Sequence, residues 1–283
     1  MLSDEQVADR VNTTLKLSNV TGDSAQQVSD YMTSIWNNFY DGSQSLESFA
    51  DKITALGAAT ASSSAEIANG LQQFAAISNT VGLSYDYAAT ALATVVAQTR
   101  QSETVVGNAF RTIFSRLQGL SLGETLEDGT DLNKYSKALA SVGVNIKDAT
   151  GNLRSMDDIL DDLGTKWKTL SKDQQTALAQ TVGGTRQYTQ LIALMDHWDK
   201  FQENLKITQN SEGTLDEQAD IYAESWEAAR KRVQASWQSI VQDLLDDKFL
   251  IGLIDGLSKF LDILDKVIDS IGGLKGVLAT IGS

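Results

Sequence analysis

The sequence predicts an all-α protein: a compact multi-helix domain with one small β-hairpin, followed by long amphipathic helices. Three observations carry that expectation. The chain has no proline in 283 residues, where average usage of ~5% would give roughly 14. Proline removes a backbone donor and costs about 3 kcal/mol inside a helix, so a long chain without it reads as nearly continuous helix. Helix starts recur along the chain as a cap hydroxyl followed three residues later by a carboxylate or amide, a pair that satisfies free N–H groups of the first turn. Apolar residues also fall at helical spacing. Phe110, Ile113, Phe114 and Leu117 make one face at i, i+3, i+4 and i+7, with Arg111 and Arg116 off it.

Taken in order, the starts are Ser3/Gln6, Ser24/Gln27, Ser63/Glu66, Ser155/Asp158, Ser171/Gln174 and Thr214/Glu217, and the stops are Gly22, Gly42, Gly82, Gly119 and Gly183. Short connections make neighbouring helices antiparallel, which predicts a compact helical domain over residues 1–210. Two places interrupt the pattern. Residues 120–131 form a polar loop with Gly123, Gly129 and several acids. Val142, Val144 and Ile146 alternate, turn through residues 148–152 and resume at Leu153, which predicts a hairpin over about 142–154 that needs a helix to cover it.

The texture changes at residue 211. Over residues 211–283 the spacing predicts amphipathic, coiled-coil-like helices. Leu215, Ala219, Tyr222, Trp226, Ala229 and Val233 alternate steps of four and three, a heptad seam that takes one further four-step to Trp237 and resumes at Ile240 and Leu244. Self-association is assigned to Leu215, Tyr222, Trp226, Val233, Trp237 and Leu244. A second amphipathic stretch follows through Leu253, Leu257, Leu261, Leu264, Ile268 and Ile271.

Composition excludes several function classes. Lys+Arg number 23 against Asp+Glu 37, a net charge of −14, so phosphate backbones repel the chain and direct nucleic-acid binding is not expected. With no cysteine and one histidine, thiolate catalysis, cysteine-based zinc sites and HExxH chemistry are impossible. His197, beside Trp198, reads as a packing or surface residue. Asp157, Asp158, Asp161 and Asp162 lie in the first two turns of a helix, where carboxylates suit the positive end of the dipole, and read as a solvated face rather than a cation site. Residues 148–152 fail the calcium-loop spacing at Thr150 and Leu153. Gly183-Gly184-Thr185-Arg186 lacks the Walker spacing and lysine; a helix-ending glycine and a threonine cap for the next helix explain it better. Trp36, Trp167, Trp198, Trp226 and Trp237 sit at helical spacing and read as core or interface anchors. No catalytic residue, cofactor or metal is expected, and the expected class is non-enzymatic.

Three phrases carry a family resemblance: GNAFRTIFSRL at residues 107–117, DATGNLRSMDDILDDLGTKWKTL at 148–170, and GTRQYTQLIAL at 184–194. In this order, helices before and after a brief hairpin, they resemble the core region of phage tail tape measure proteins, as in siphophage and prophage tails. Thr185 stands where that family usually has lysine, so nothing that depends on that lysine carries over. Some relatives bear a cell-wall-degrading domain. Glu224-Ser225 lacks the glycine- and proline-containing surroundings of a lytic transglycosylase and reads as an exposed face.

The resemblance implies a structural tail protein acting in tail assembly and length determination inside the tube, with a link to genome ejection. It implies tail tube, distal tail and baseplate proteins and tail assembly chaperones as partners, and a homo-oligomer of a few copies. It places the protein in the tail lumen of the virion and in the host cytoplasm during assembly. At about 1.5 Å per residue, 283 helical residues span only about 420 Å, so the chain is expected to be a piece of a longer protein, with any host-membrane contact made by regions beyond it. Residues 249–283 carry four aspartates against three lysines, a balance that favours helix partners over anionic lipid. The rival reading is a helical interaction or adaptor module unrelated to tails.

Overall fold

Serine hydroxyls open most of the helices. In the computed structural model, Ser3, Ser24, Ser63 and Ser171 each close a full capping box with Gln6, Gln27, Glu66 and Gln174. The structure describes residues 3–118, 133–225 and 229–236. The expected polar loop over 120–131, the stop at Gly119 and the second amphipathic stretch lie outside those residues. The chain divides into two units, residues 1–219 and 220–283.

The first unit is built from α1 (Asp4–Thr21), α2 (Ala25–Phe39), α3 (Leu46–Ala59), α4 (Ser64–Gln72), α5 (Ala75–Thr80), α6 (Tyr85–Thr99), α7 (Glu103–Gln118), α8 (Asn133–Ser141), α9 (Met156–Trp167), α10 (Lys172–Asp196), α11 (Trp198–Gln209) and the start of α12 (Thr214–Glu224). The chain is all-α, with no strand among the described residues.

Helix α6 is the axis of the core. Residues 88–96 are all buried, so the helix is covered on every side, by α3, α4, α5, α7, α10 and α11. Its run of Ala88, Ala89, Ala91 and Ala93 keeps the helix thin enough to be surrounded. Two buried polar pairs then fix its register against α11: Thr90 with Thr208 at 2.9 Å, and Asn204 Nδ2 donating to Thr94 Oγ1 at 3.0 Å. Such pairs add little net energy, but a slip would take the Thr90 and Thr94 hydroxyls away from these buried partners, at about 1–3 kcal/mol apiece.

The expected hairpin is reduced to one antiparallel bridge, Lys147 to Leu153. The reason is local. The Asp148 carboxylate accepts from the Thr150 and Asn152 N–H groups and the Thr150 hydroxyl at 2.7–2.9 Å, which closes the turn by itself. One residue beyond the Arg154 N–H bond to Ile146 O, the chain leaves to start α9, and the Met156 N–H bonds Gly82 O instead. Val144 and Ile146 are buried in the helical core.

Thr214 is not the cap of α12. Its hydroxyl donates to Ser211 O, and the first N–H groups are instead held by Asp51 of α3, which accepts from Gly213 at 3.2 Å and Leu215 at 2.8 Å. Burial pushes the Asp51 carboxyl above its ordinary value, partly offset by those two bonds. Lys16 bridges Glu47 at 2.7 Å and Asp216 at 2.5 Å beside it.

In the second unit, α12 ends at Glu224 and residues 229–236 are helical again. Lys231 Nζ lies 5.5 Å from the centroid of the Tyr222 ring, and Arg232 donates to Ala223 O at 3.2 Å.

Candidate functional site

Two of the sequence phrases meet where α7 packs on α10. Along α7, Val106, Ala109, Phe110, Ile113, Phe114 and Leu117 are all buried. Phe110 and Phe114 pack with Phe74 at centroid distances of 5.5 and 6.0 Å. Gly107 faces α4: a Cβ there would strike the Gly70 carbonyl oxygen, and Gly70 has Leu92 equally close. Only glycine lets α4 and α7 approach this far.

Arg116, off the apolar face, crosses to α10. There the backbone leaves helical geometry at Gly184 alone, with φ 72° and ψ 177°, a region essentially restricted to glycine. The kink frees the Val182 carbonyl, and the Arg116 guanidinium donates to it at 3.3 Å while filling the space a Gly184 side chain would need. The break therefore falls one residue later than the glycine stop expected at Gly183, inside a helix that continues to Asp196. Gly183 itself is held against the Tyr188 backbone.

Of the four aspartates expected on a solvated face of α9, Asp158 is exposed, while the other three bond to neighbouring groups. Asp157 Oδ1 accepts the Ser84 N–H at 3.0 Å, Asp161 accepts from the Tyr87 hydroxyl at 2.7 Å and from Gln202 at 3.0 Å, and Asp162 pairs with Arg154 at 2.6 Å. Burial pushes the Asp157 carboxyl up despite the Ser84 bonds, and it pushes the Tyr87 hydroxyl up too, with the Asp161 bond adding. Asp157 and Asp161 tie α9 to the start of α6 and to α11, while Asp162 holds the segment just before α9. Periodicity missed this because it places residues on a helix face without saying what stands opposite.

The remaining candidates separate cleanly. His197 is exposed at the α10–α11 junction, its Nδ1 2.8 Å from Ala193 O. Trp36, Trp167 and Trp198 are buried; Trp36 Nε1 donates to Leu46 O at 3.0 Å and Trp167 Nε1 to Asp196 at 2.6 Å. Glu224 is exposed. Among the described residues no group of three potential ligands could hold a metal ion. A cleft of about 640 Å³ opens between α2, α3 and α6; its Lys52 is bonded to Asp86 at 2.6 Å and to Gln44 at 2.9 Å, so it holds an ion pair.

Of the self-association set, Leu215 is fully buried within the first unit. Tyr222 and Val233 are half-buried in the second. Trp226, Trp237 and Leu244 lie outside the described residues. No helix among the described residues is long and apolar enough to cross a membrane.

The arrangement is that of a braced scaffold: glycine contacts, buried polar pegs and carboxylates spent on holding helices together. A family model described as phage-related minor tail protein matches residues 2–184, from the start of α1 to the α10 kink. No solved structure matches the chain.

Proposed function

Because the chain belongs to the phage-related minor tail protein family, a structural component of the virion tail, we propose that it is the core segment of a tape measure protein. The carrying observation is the position of the three phrases. The phrase at 107–117 supplies the α7 face and Arg116, and the phrase at 184–194 begins at the α10 kink that Arg116 occupies. The phrase at 148–170 supplies the Asp148 turn and the carboxylates of α9. Residues that resemble tape measure proteins are thus those that brace this fold.

In this reading the first unit is a non-enzymatic docking and assembly module, and length is set by helical sequence elsewhere in the protein, at about 1.5 Å of rise per residue. Tail chaperones would hold it during assembly and tube and distal tail proteins afterwards, in a few copies, within the tail lumen. Deleting the reading frame from its phage tests this. Particles without tails, or with tubes of irregular length, are expected; normal tails of normal length would refute it. Release of soluble fragments from purified peptidoglycan, lost in Glu224→Gln, would move the protein into the enzyme class.

A further inference from the structure

The connection between α2 and α3 holds a chemically labile pair of residues. Asp41 is exposed, and its Oδ1 accepts the Ser43 N–H at 2.8 Å. The ring closed by that bond contains both the Asp41 carboxyl carbon and the Gly42 nitrogen, as in any turn that an aspartate side chain closes two residues on. The Gly42 N–H itself has no partner among the described residues. Gly42 stands at φ 86° with open space where a side chain would lie, so no Cβ shields its nitrogen from the carboxyl.

We propose that Asp41–Gly42 is a site of spontaneous isoaspartate formation in the folded chain. The Gly42 nitrogen attacks Cγ of Asp41; as the N–Cγ bond forms, the nitrogen's proton and the carboxyl OH leave together as water. The cyclic imide then takes up water. Opening at Cγ restores aspartate, whereas opening at the α-carbonyl leaves the main chain running through Cβ and Cγ with a free α-carboxylate. Only water leaves and enters, so mass and charge are unchanged. A neutral carboxyl can lose water, while a carboxylate would have to expel oxide. The Ser43 bonds hold Asp41 below its ordinary value, so the reaction quickens as pH falls from neutrality toward the carboxyl's own range.

The chain carries its own comparison. Asp148 closes the same kind of turn on the Thr150 N–H at 2.9 Å, but Ala149 follows it, and the Asn152 N–H and Thr150 hydroxyl hold the same carboxylate oxygen. Asn69–Gly70 lies inside α4, with Gly70 buried. Asp128–Gly129 and Asp255–Gly256 fall outside the described residues. The product has a local consequence. Asp41, Ser43 and Gln44 line the cleft in which Gln44 accepts from Lys52 at 2.9 Å. An added main-chain carbon takes the acceptor from Ser43 and shifts Gln44 and Ser45, the residue that caps α3.

The full chain is incubated in mildly acidic and in neutral buffer. Isoaspartate is then counted with an isoaspartyl-specific methyltransferase and located by electron-transfer fragmentation of the digested chain. Residue 41 is expected to convert at least roughly tenfold faster than residue 148, the factor that about 1.4 kcal/mol of barrier gives, and faster in the acidic buffer. Gly42→Ala is expected to slow it by a similar factor. Asp41→Asn, which needs no change of backbone, closes the same imide with loss of ammonia and is expected to deamidate faster than Asn210, which precedes Ser211. Residue 41 converting no faster than residue 148, or an Asp41→Asn chain that keeps its amide, would overturn the proposal. Neither result would alter the tail assignment.

Discussion

Asp157 shows how a surface-looking residue becomes structural. Its carboxyl is raised above the ordinary 3.8 by burial, against the opposing bond from Ser84. The folded chain therefore holds this proton at a pH where the unfolded chain has released it. Its contribution to stability is fully present below 3.8 and is lost as pH rises through the folded value. Asp157→Asn keeps an acceptor for Ser84 and has no charge to bury. The variant is expected to be at least as stable as the parent at neutral pH, with its advantage shrinking as pH falls toward 3.8. Denaturant midpoints of both proteins across that range check it, and a difference independent of pH would contradict it. Asp148 works in the opposite sense: the Thr150 hydroxyl and backbone bonds hold it below its ordinary value, so what it contributes is lost only in more acidic solution. At this scale the sequence told helix starts well and partners poorly. Ser3, Ser24, Ser63 and Ser171 are legible because their third residue is glutamine or glutamate. Ser45 and Ser84 cap α3 and α6 equally but are followed at that position by Ser48 and Tyr87, which complete no box.

Between elements, the most consequential joint is Arg116 on the α10 kink. Gly184→Ala would need a left-handed backbone and would push its Cβ into the guanidinium, at a cost of about 2–4 kcal/mol. Arg116→Ala removes the bond to Val182 O and should cost about 1–2 kcal/mol. The double variant is expected to be less destabilised than the sum, because the clash disappears with the arginine while the backbone strain stays. Equilibrium unfolding of the four proteins measures that coupling; strict additivity would mean that the two residues do not share the joint. A second element-scale joint is the start of α12. Asp51→Ala leaves the Gly213 and Leu215 N–H groups without their acceptor, so amide exchange at residues 213–217 should accelerate about tenfold or more, as a loss of about 1.4 kcal/mol implies. Unchanged exchange there would refute the anchoring. Helix existence was readable from spacing throughout this region. The position of the kink was not, because Gly183 and Gly184 are equivalent in sequence and only the arginine arriving from α7 distinguishes them. The hairpin failed as an expectation because alternation at Val142, Val144 and Ile146 describes burial, which a helical core satisfies as well as a sheet does.

Across the whole molecule, composition told most. The missing proline, the uncharged core of α6 and the capping hydroxyls all point to stacked helices. The seam was less legible, since heptad spacing counts Leu215 as a contact residue while the fold spends it beneath Asp51. If self-association runs through the rest of the seam, Trp226→Ala with Trp237→Ala should lower the mass in light scattering while the core stays folded; an unchanged mass would place those tryptophans within one chain. The tape measure assignment is the central claim, and tail length is its direct readout. Duplicating residues 211–283 in frame in the phage, 73 residues if helical throughout, should lengthen the tail by up to about 110 Å at 1.5 Å per residue. Electron microscopy of the particles measures it: longer tails are the expected result, and infectious particles that carry the duplicated protein with tails of unchanged length would contradict the assignment.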